Sequence, residues 1–234
     1  MNQGGAALLP PLSLPSGHVA CTGRAEGDMG HGGRYVVTVD PEVEARRRAV
    51  VELPWTWLRQ VHGRRVVVVD GPGAGSGQRG DAAVTTHSGC ALAVFGADCA
   101  PVALVSDEGV IGVAHAGWRG VLAGVVGATV EAMRSLGAVG IEAVIGPCIR
   151  PGCYDFGPSE LDAVANHLGD GVRSTTASGR PALDLPAAVR VALTVAGVDG
   201  GHIADVGICT ACSPGYFSWR AGRDQERQAM VVWR

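Results

Sequence analysis

Four short apolar segments constrain this chain more than any other feature: "ALAVFGADC" (91–99), "PVALVSD" (101–107), "GVIGVAHAG" (109–117) and "IEAVIGPCI" (141–149). They are rich in Val, Ile, Leu and Ala, and Gly, Asp or Pro closes each of them within a few residues. That pattern suits strands buried on both faces, where no polar residue has to alternate with the apolar ones. "RQVHGRRVVVVD", "HIADVGICT" and the closing "AMVVWR" read as further strands. A chain of this kind needs cover on both sides of a sheet, and three helical patterns supply it.

The clearest helical pattern runs over 118–136, where Val121, Leu122, Val125, Val126, Thr129, Val130 and Met133 recur at spacings of three and four before Gly137. "PSELDAVANHL" reads as a second helix, with Ser159 and Asp162 fitting a start signal, and "LPAAVRVALTVAGV" as a third with Pro186 in its first turn. Strands and helices interleave without strict alternation. The expected fold class is therefore α+β, a layered α/β sandwich around a mixed central sheet. The Gly-rich "DGPGAGSGQRGD" (70–81) lacks the Gly-Lys-Ser/Thr ending of a phosphate loop and reads as a flexible connector. Residues 1–19, broken by Pro10, Pro11 and Pro15, read as a flexible N-terminal arm, and 20–234 as a single catalytic domain.

Composition narrows the partners. The net charge of −3 argues against nonspecific nucleic-acid or membrane-surface binding, and no apolar stretch is long enough to span a bilayer. All 19 basic residues are Arg. The 7 Cys are an odd number, and with no leader segment the expected setting is the cytoplasm with reduced thiols, not disulfides. "CTAC" (209–212) has redox or zinc-knuckle spacing, but no second such pair exists to complete a structural zinc site.

His62, Cys99 and His115 each stand beside Gly, Asp or Ala at the edge of an apolar segment, in "QVHG", "ADCAP" and "VAHAG". If those segments are neighbouring strands, the three side chains meet at one sheet edge. Two imidazoles and a thiolate suit a catalytic zinc site with one position open. Cys99 and His115 alone would equally suit a nucleophile and its base. Spacing does not separate these two roles.

The ordered series "RQVHG", "GDAAVTT", "GADCAPVALVSD", "GVAHAGWRG", "IGPCI" with "CYDF", and "CTACSPGYFSWRAGRDQERQAM" resembles the motifs of the YfiH-type laccase-domain family over about residues 20–234. The resemblance implies a fold like that of the cytotoxic necrotizing factor catalytic domain. It implies a zinc-dependent purine nucleoside phosphorylase acting on adenosine and inosine with phosphate, with adenosine deaminase and methylthioadenosine phosphorylase activities. The family was earlier described as copper-dependent polyphenol oxidases. The resemblance makes His62, Cys99 and His115 the metal ligands, and places Arg24, Arg59, Arg119, Ser218, Arg220 and Arg227 as substrate contacts, since Arg grips oxyanions through paired hydrogen bonds. Asp98 and His87 are options for the general acid. The early "AEGDMG" and the late "ERQ" depart from the family pattern and bear on substrate range. Three rivals stand beside this reading: a copper oxidase, a Cys-His hydrolase or deamidase, and a noncatalytic partner of cell-wall or division proteins.

Overall fold

Two sheets packed face to face form the centre of the protein, and helices cover their outer faces. The structure, a computed structural model, describes residues 12–14, 16–30 and 40–234. A five-stranded sheet has the order β1 (Leu12–Leu14), β2 (Gly17–Cys21), β13 (Gln228–Trp233), β6 (Ala91–Gly96), β3 (Trp55–Trp57). A six-stranded sheet has the order β12 (Ile203–Asp205), β9 (Ile141–Ile145), β7 (Ala100–Ser106), β8 (Ile111–Ala116), β5 (Ala82–Thr85), β4 (Val66–Val68). Both are mixed: β3 runs parallel to β6, β12 to β9 and β4 to β5, and the remaining pairs in these sheets are antiparallel. A separate hairpin pairs β10 (Arg173–Thr175) with β11 (Pro181–Leu183). This is the mixed α+β class, with a second sheet where the sequence suggests one.

Side chains alternate across each strand, so a fully apolar strand feeds two cores. In β6, Leu92 and Val94 point between the sheets, while Ala91, Ala93 and Phe95 point to the outer face. In β13, Met230 and Val232 take the inner face and Ala229 and Val231 the outer. From the six-stranded sheet, Ala103, Val105, Ile111, Val113 and Val144 close the inter-sheet core. Val102, Leu104 and Ala114 face the other way, against α3 (Val125–Ser135), α4 (Pro158–Leu168) and α5 (Leu185–Val195). Burying each such Val, Leu or Ile contributes about 1.5–3 kcal/mol.

On the outer face of the five-stranded sheet lies α1 (Pro41–Val50), capped by Asp40, whose side chain accepts from the Glu42 amide at 2.8 Å. It carries Arg47 inward, fully buried, with Nη2 donating to the Met29 carbonyl at 2.7 Å and the guanidinium 5.0 Å from the Phe95 ring centre. Burial lowers its pKa to about 10, against the nearby charges of Glu44 and Asp28.

Several expectations are corrected. The helix expected over 118–136 is two, α2 (Trp118–Ala123) and α3, because Gly124 adopts φ 86° and ends the first. Helix α4 starts at Pro158 with Gly157 as its cap, and the Ser159 hydroxyl bonds Glu160 instead of capping. Within the 1–19 segment expected to be a flexible arm, Leu12–Leu14 and the start of Gly17–Cys21 join the sheet instead; residues 1–11 and 15 lie outside those described. The 70–81 connector is strapped to β3: Gly77 donates to the Trp57 carbonyl, Ser76 to that of Trp55, and Thr56 to that of Ala74. Only Ile203–Asp205 of "HIADVGICT" is strand. The expectation of reduced thiols throughout also fails, because Cys153 and Cys212, 59 residues apart, form a disulfide. The parallel run of β9 and β12 and the backbone pairing of Cys148 with Cys209 bring their two loops together. Among the described residues no helix is long and apolar enough to cross a membrane.

Candidate functional site

The site lies at one end of the seam between the sheets. His115 occupies the last turn of alternation in β8, in line with Ile111 and Val113, so its side chain faces the inter-sheet layer. Cys99 precedes β7, which pairs antiparallel with β8, with Pro101 opposite His115. His62 comes from the loop after β3 and has φ 58°, while Asp98, beside Cys99, has φ 108°. Positive φ at non-Gly residues is uncommon and is held by surrounding contacts.

At Asp98 those contacts are explicit. Its carboxylate accepts from Thr210 Oγ1 at 2.8 Å, Ser218 Oγ at 2.7 Å and the Arg220 amide at 2.7 Å. It is thereby a brace for the turn that presents Cys99. At His62 the brace is Asp81, which is fully buried and accepts from the amides of Val61, His62 and Gly63. Asp81 Oδ1 also lies 3.1 Å from His115 Nδ1, and the Asp81 carbonyl accepts from the His115 amide at 2.7 Å. One carboxylate therefore fixes the loop of the first imidazole and the ring of the second. With Nδ1 of His115 turned to Asp81, Nε2 is directed to the site, the usual carboxylate–histidine arrangement around a metal.

The donor atoms of His62, Cys99 and His115 all lie within 4.8 Å of one another, with Cys99 Sγ 3.7 Å from His62 Nε2. Gly117 lets them converge, since a Cβ there would stand 2.7 Å from Cys99 Sγ and 3.0 Å from His62 Cδ2. Burial alone would push the Cys99 thiol up, but His115 and His62 bring it down to about 6. Burial would lower His115, yet Cys99 and Asp81 hold it up at about 9. Asp81 is held below the usual carboxylate range by His115 and the amides of Gly63 and His62, in spite of its burial. An electron-rich thiolate, two imidazoles and a space that admits no side chain together fit a metal ion.

This group opens into a cavity of about 620 Å³. Of the residues expected to contact substrate, Arg59, Arg119, Arg220 and Arg227 line it. Arg119 lies 4.3 Å from the Trp118 ring centre, and Trp118 packs edge-on against Phe156. Arg220 donates to the Asp155 carbonyl and lies over Tyr154. Arg24 and Ser218 stand behind the wall. Arg24 pairs with Asp224 at 2.5 Å and donates to the Tyr216 carbonyl, and buried Ser218 caps α6 (Trp219–Gly222) while donating to Asp98. His87 is exposed away from the cavity lining. Sequence reading passes over Asp81, which opens "DAAVTT", and over the aromatic wall of Trp57, Phe95, Tyr154 and Trp219. Asp81 was open to detection as a carboxylate beside a strand-edge motif; the aromatic wall comes from distant segments and carries no local signal.

Residues 36–234 match the family model described as "Multi-copper polyphenol oxidoreductase laccase". The chain belongs to this family. A "Purine nucleoside phosphorylase ORF3" of Streptomyces griseus is 43% identical over 182 residues, covering 76% of this chain and 73% of that protein. An "Adenosine deaminase RL5" from an unknown prokaryotic organism is 35% identical over 177 residues, covering 69% and 68%. Among solved structures, the Bacillus licheniformis hypothetical protein YfiH superposes with a TM-score of 0.79 at 26% identity, covering 96% of this chain and 99% of that one. The two proteins thus share a fold, and in this chain that fold brings His62, Cys99 and His115 together at one end of the inter-sheet seam.

Proposed function

We propose that this protein is a zinc-dependent purine nucleoside phosphorylase that cleaves adenosine and inosine with phosphate to free base and ribose 1-phosphate. The observation that carries the reading is the cavity itself, which has the His62–Cys99–His115 group on one side, four guanidiniums around it and aromatic rings in its walls. A nucleoside needs flat apolar surface for its base and polar groups for its ribose, and phosphate needs fixed cations. Trp57, Phe95, Trp118 and Tyr154 offer the first, and Arg59, Arg119, Arg220 and Arg227 the last. The similarity to a purine nucleoside phosphorylase and an adenosine deaminase supports the same substrate class.

A bound zinc ion supplies Lewis acidity and concentrated positive charge at the thiolate and imidazoles. The chain's residues do the rest. In phosphorolysis a phosphate oxygen bonds to C1′ of the ribose as the bond from C1′ to the purine nitrogen breaks, so positive charge builds on the sugar and negative charge on the base. In this reading Arg119 and Arg220, both on the cavity wall, hold a phosphate against the ribose, and fixing the two reactants together lowers the barrier to their reaction. Burial pushes the Tyr154 hydroxyl up, so on the cavity wall it keeps its proton and serves as a hydrogen-bond donor.

Adenosine deamination is a second reading of the same site, favoured by the deaminase relative. The test loads metal-free protein with zinc or with copper(II). It then incubates each form with adenosine and inosine, with and without phosphate, and follows ribose 1-phosphate, hypoxanthine and ammonia. Phosphate-dependent ribose 1-phosphate from the zinc form is expected. Ammonia released equally without phosphate, with no ribose 1-phosphate, replaces the phosphorylase by the deaminase. Phenol oxidation confined to the copper form replaces both by an oxidase, and covalent trapping of Cys99 by substrate points to a thiol hydrolase.

A further inference from the structure

Beyond the His62–Cys99–His115 group, the structure brings three sulfurs to a second place. Cys209 and Cys212 belong to one turn, and Cys153 comes from a 3-10 turn at Pro151–Cys153; their donor atoms lie within 4.8 Å of one another. We propose that Cys153, Cys209 and Cys212 form a second, all-thiolate site, which takes one thiophilic ion of the zinc or copper(I) class when the Cys153–Cys212 bond is reduced.

The two turns are held independently of the disulfide. Cys148 and Cys209 pair through their backbones, with the Thr210 amide donating to the Cys148 carbonyl at 3.1 Å and the Cys153 amide to the Arg150 carbonyl at 2.9 Å. Thr210 is further fixed by its hydroxyl on Asp98. Reduction therefore leaves the three sulfurs near one another. A tetrahedral zinc–thiolate site separates its sulfurs by about 3.8 Å, as zinc–sulfur bonds of about 2.3 Å require. The present spacing is within reach of side-chain rotation. Three soft thiolates without oxygen donors select zinc or copper(I) over magnesium or calcium.

Exposure separates this trio from Cys21, Cys90 and Cys148, all of which are buried. Cys153 and Cys209 are half-buried and Cys212 is exposed, so an ion has a way in. Cys21 and Cys148 are buried, and desolvation pushes both thiols up and keeps them protonated. The missing second pair that a structural zinc knuckle requires is here supplied in part by one cysteine 56 residues before the CxxC, counted from Cys153 to Cys209. Conversion between the two states balances simply. A phosphine reduces the disulfide to two thiols and becomes its oxide with oxygen from water; ion binding then releases the thiol protons to buffer.

The probe is cadmium, whose thiolate charge-transfer absorbance counts bound sulfurs. The full-length C99A variant removes the sulfur of the first site, so absorbance from that site disappears. It is titrated before and after phosphine treatment, with a free-thiol count confirming reduction. Reduced C99A is expected to bind one cadmium with a strong thiolate band and to hold zinc against a chromophoric chelator. The oxidised form is expected to show no such band. Adding C209S, or C153S should the first fail to fold, is expected to weaken binding about 100-fold or more, because a three-ligand site loses a ligand. A reduced C99A protein without the band, or a band unmoved by both substitutions, overturns the proposal while leaving the phosphorylase assay untouched.

Discussion

Gly117 shows how much a single residue sets at this site. Its φ of −68° is open to any residue, so what demands glycine is space: a Cβ would meet Cys99 Sγ at 2.7 Å and His62 Cδ2 at 3.0 Å. Gly117→Ala therefore pushes a thiolate and an imidazole apart at the point where they converge. Metal affinity is expected to fall by about 10-fold or more, since small displacements around a metal have effects of that size. Chelator competition measures it, and the urea midpoint should move little. Unchanged affinity would show that the ligands have room to spare. The His and Cys types of "QVHG", "ADCAP" and "VAHAG" were legible as donors. The positive φ of His62 and Asp98 was not, because those strains are set by partners distant in sequence, Asp81 for one and Thr210 and Ser218 for the other.

At the scale of elements, periodicity located most strands and helices but not the break between α2 and α3. Val121, Leu122, Val125 and Val126 continue one apolar stripe across Gly124, so the sequence pattern runs through a place where the backbone turns. The left-handed φ of 86° at Gly124 is a property of the chain path, and nothing lies within 4 Å of a Cβ built there. Gly124→Ala thus isolates backbone strain from packing. It is expected to cost about 1–2 kcal/mol in urea unfolding, the penalty for an L-residue in that region. No loss would mean that the two helices merge into one without penalty. The second sheet escaped notice for a related reason: Ala91–Gly96 and Gln228–Trp233 are buried on both faces, and a continuous apolar run does not say which layer it joins.

Across the whole molecule, the candidate centre is built where the two sheets meet, and its donor groups come from three separate segments, two of which, those of His62 and His115, are tied together by one buried carboxylate. That makes Asp81 a term in global stability as well as in local geometry. Its folded pKa is depressed, chiefly by His115 and the amides it accepts from, which more than offset burial. A depressed carboxylate contributes stability that is fully present above its unfolded value, about 3.9, and is lost as the pH falls through its folded value. The metal-free protein is therefore expected to lose stability steeply below about pH 4. Asp81→Asn removes that titration and leaves buried amides with a poorer acceptor. Its urea-unfolding stability should be lower at neutral pH by about 1–3 kcal/mol, with a shallower acid limb. Parallel curves for the two proteins down through that range would mean that Asp81 is not the group whose protonation opens the seam.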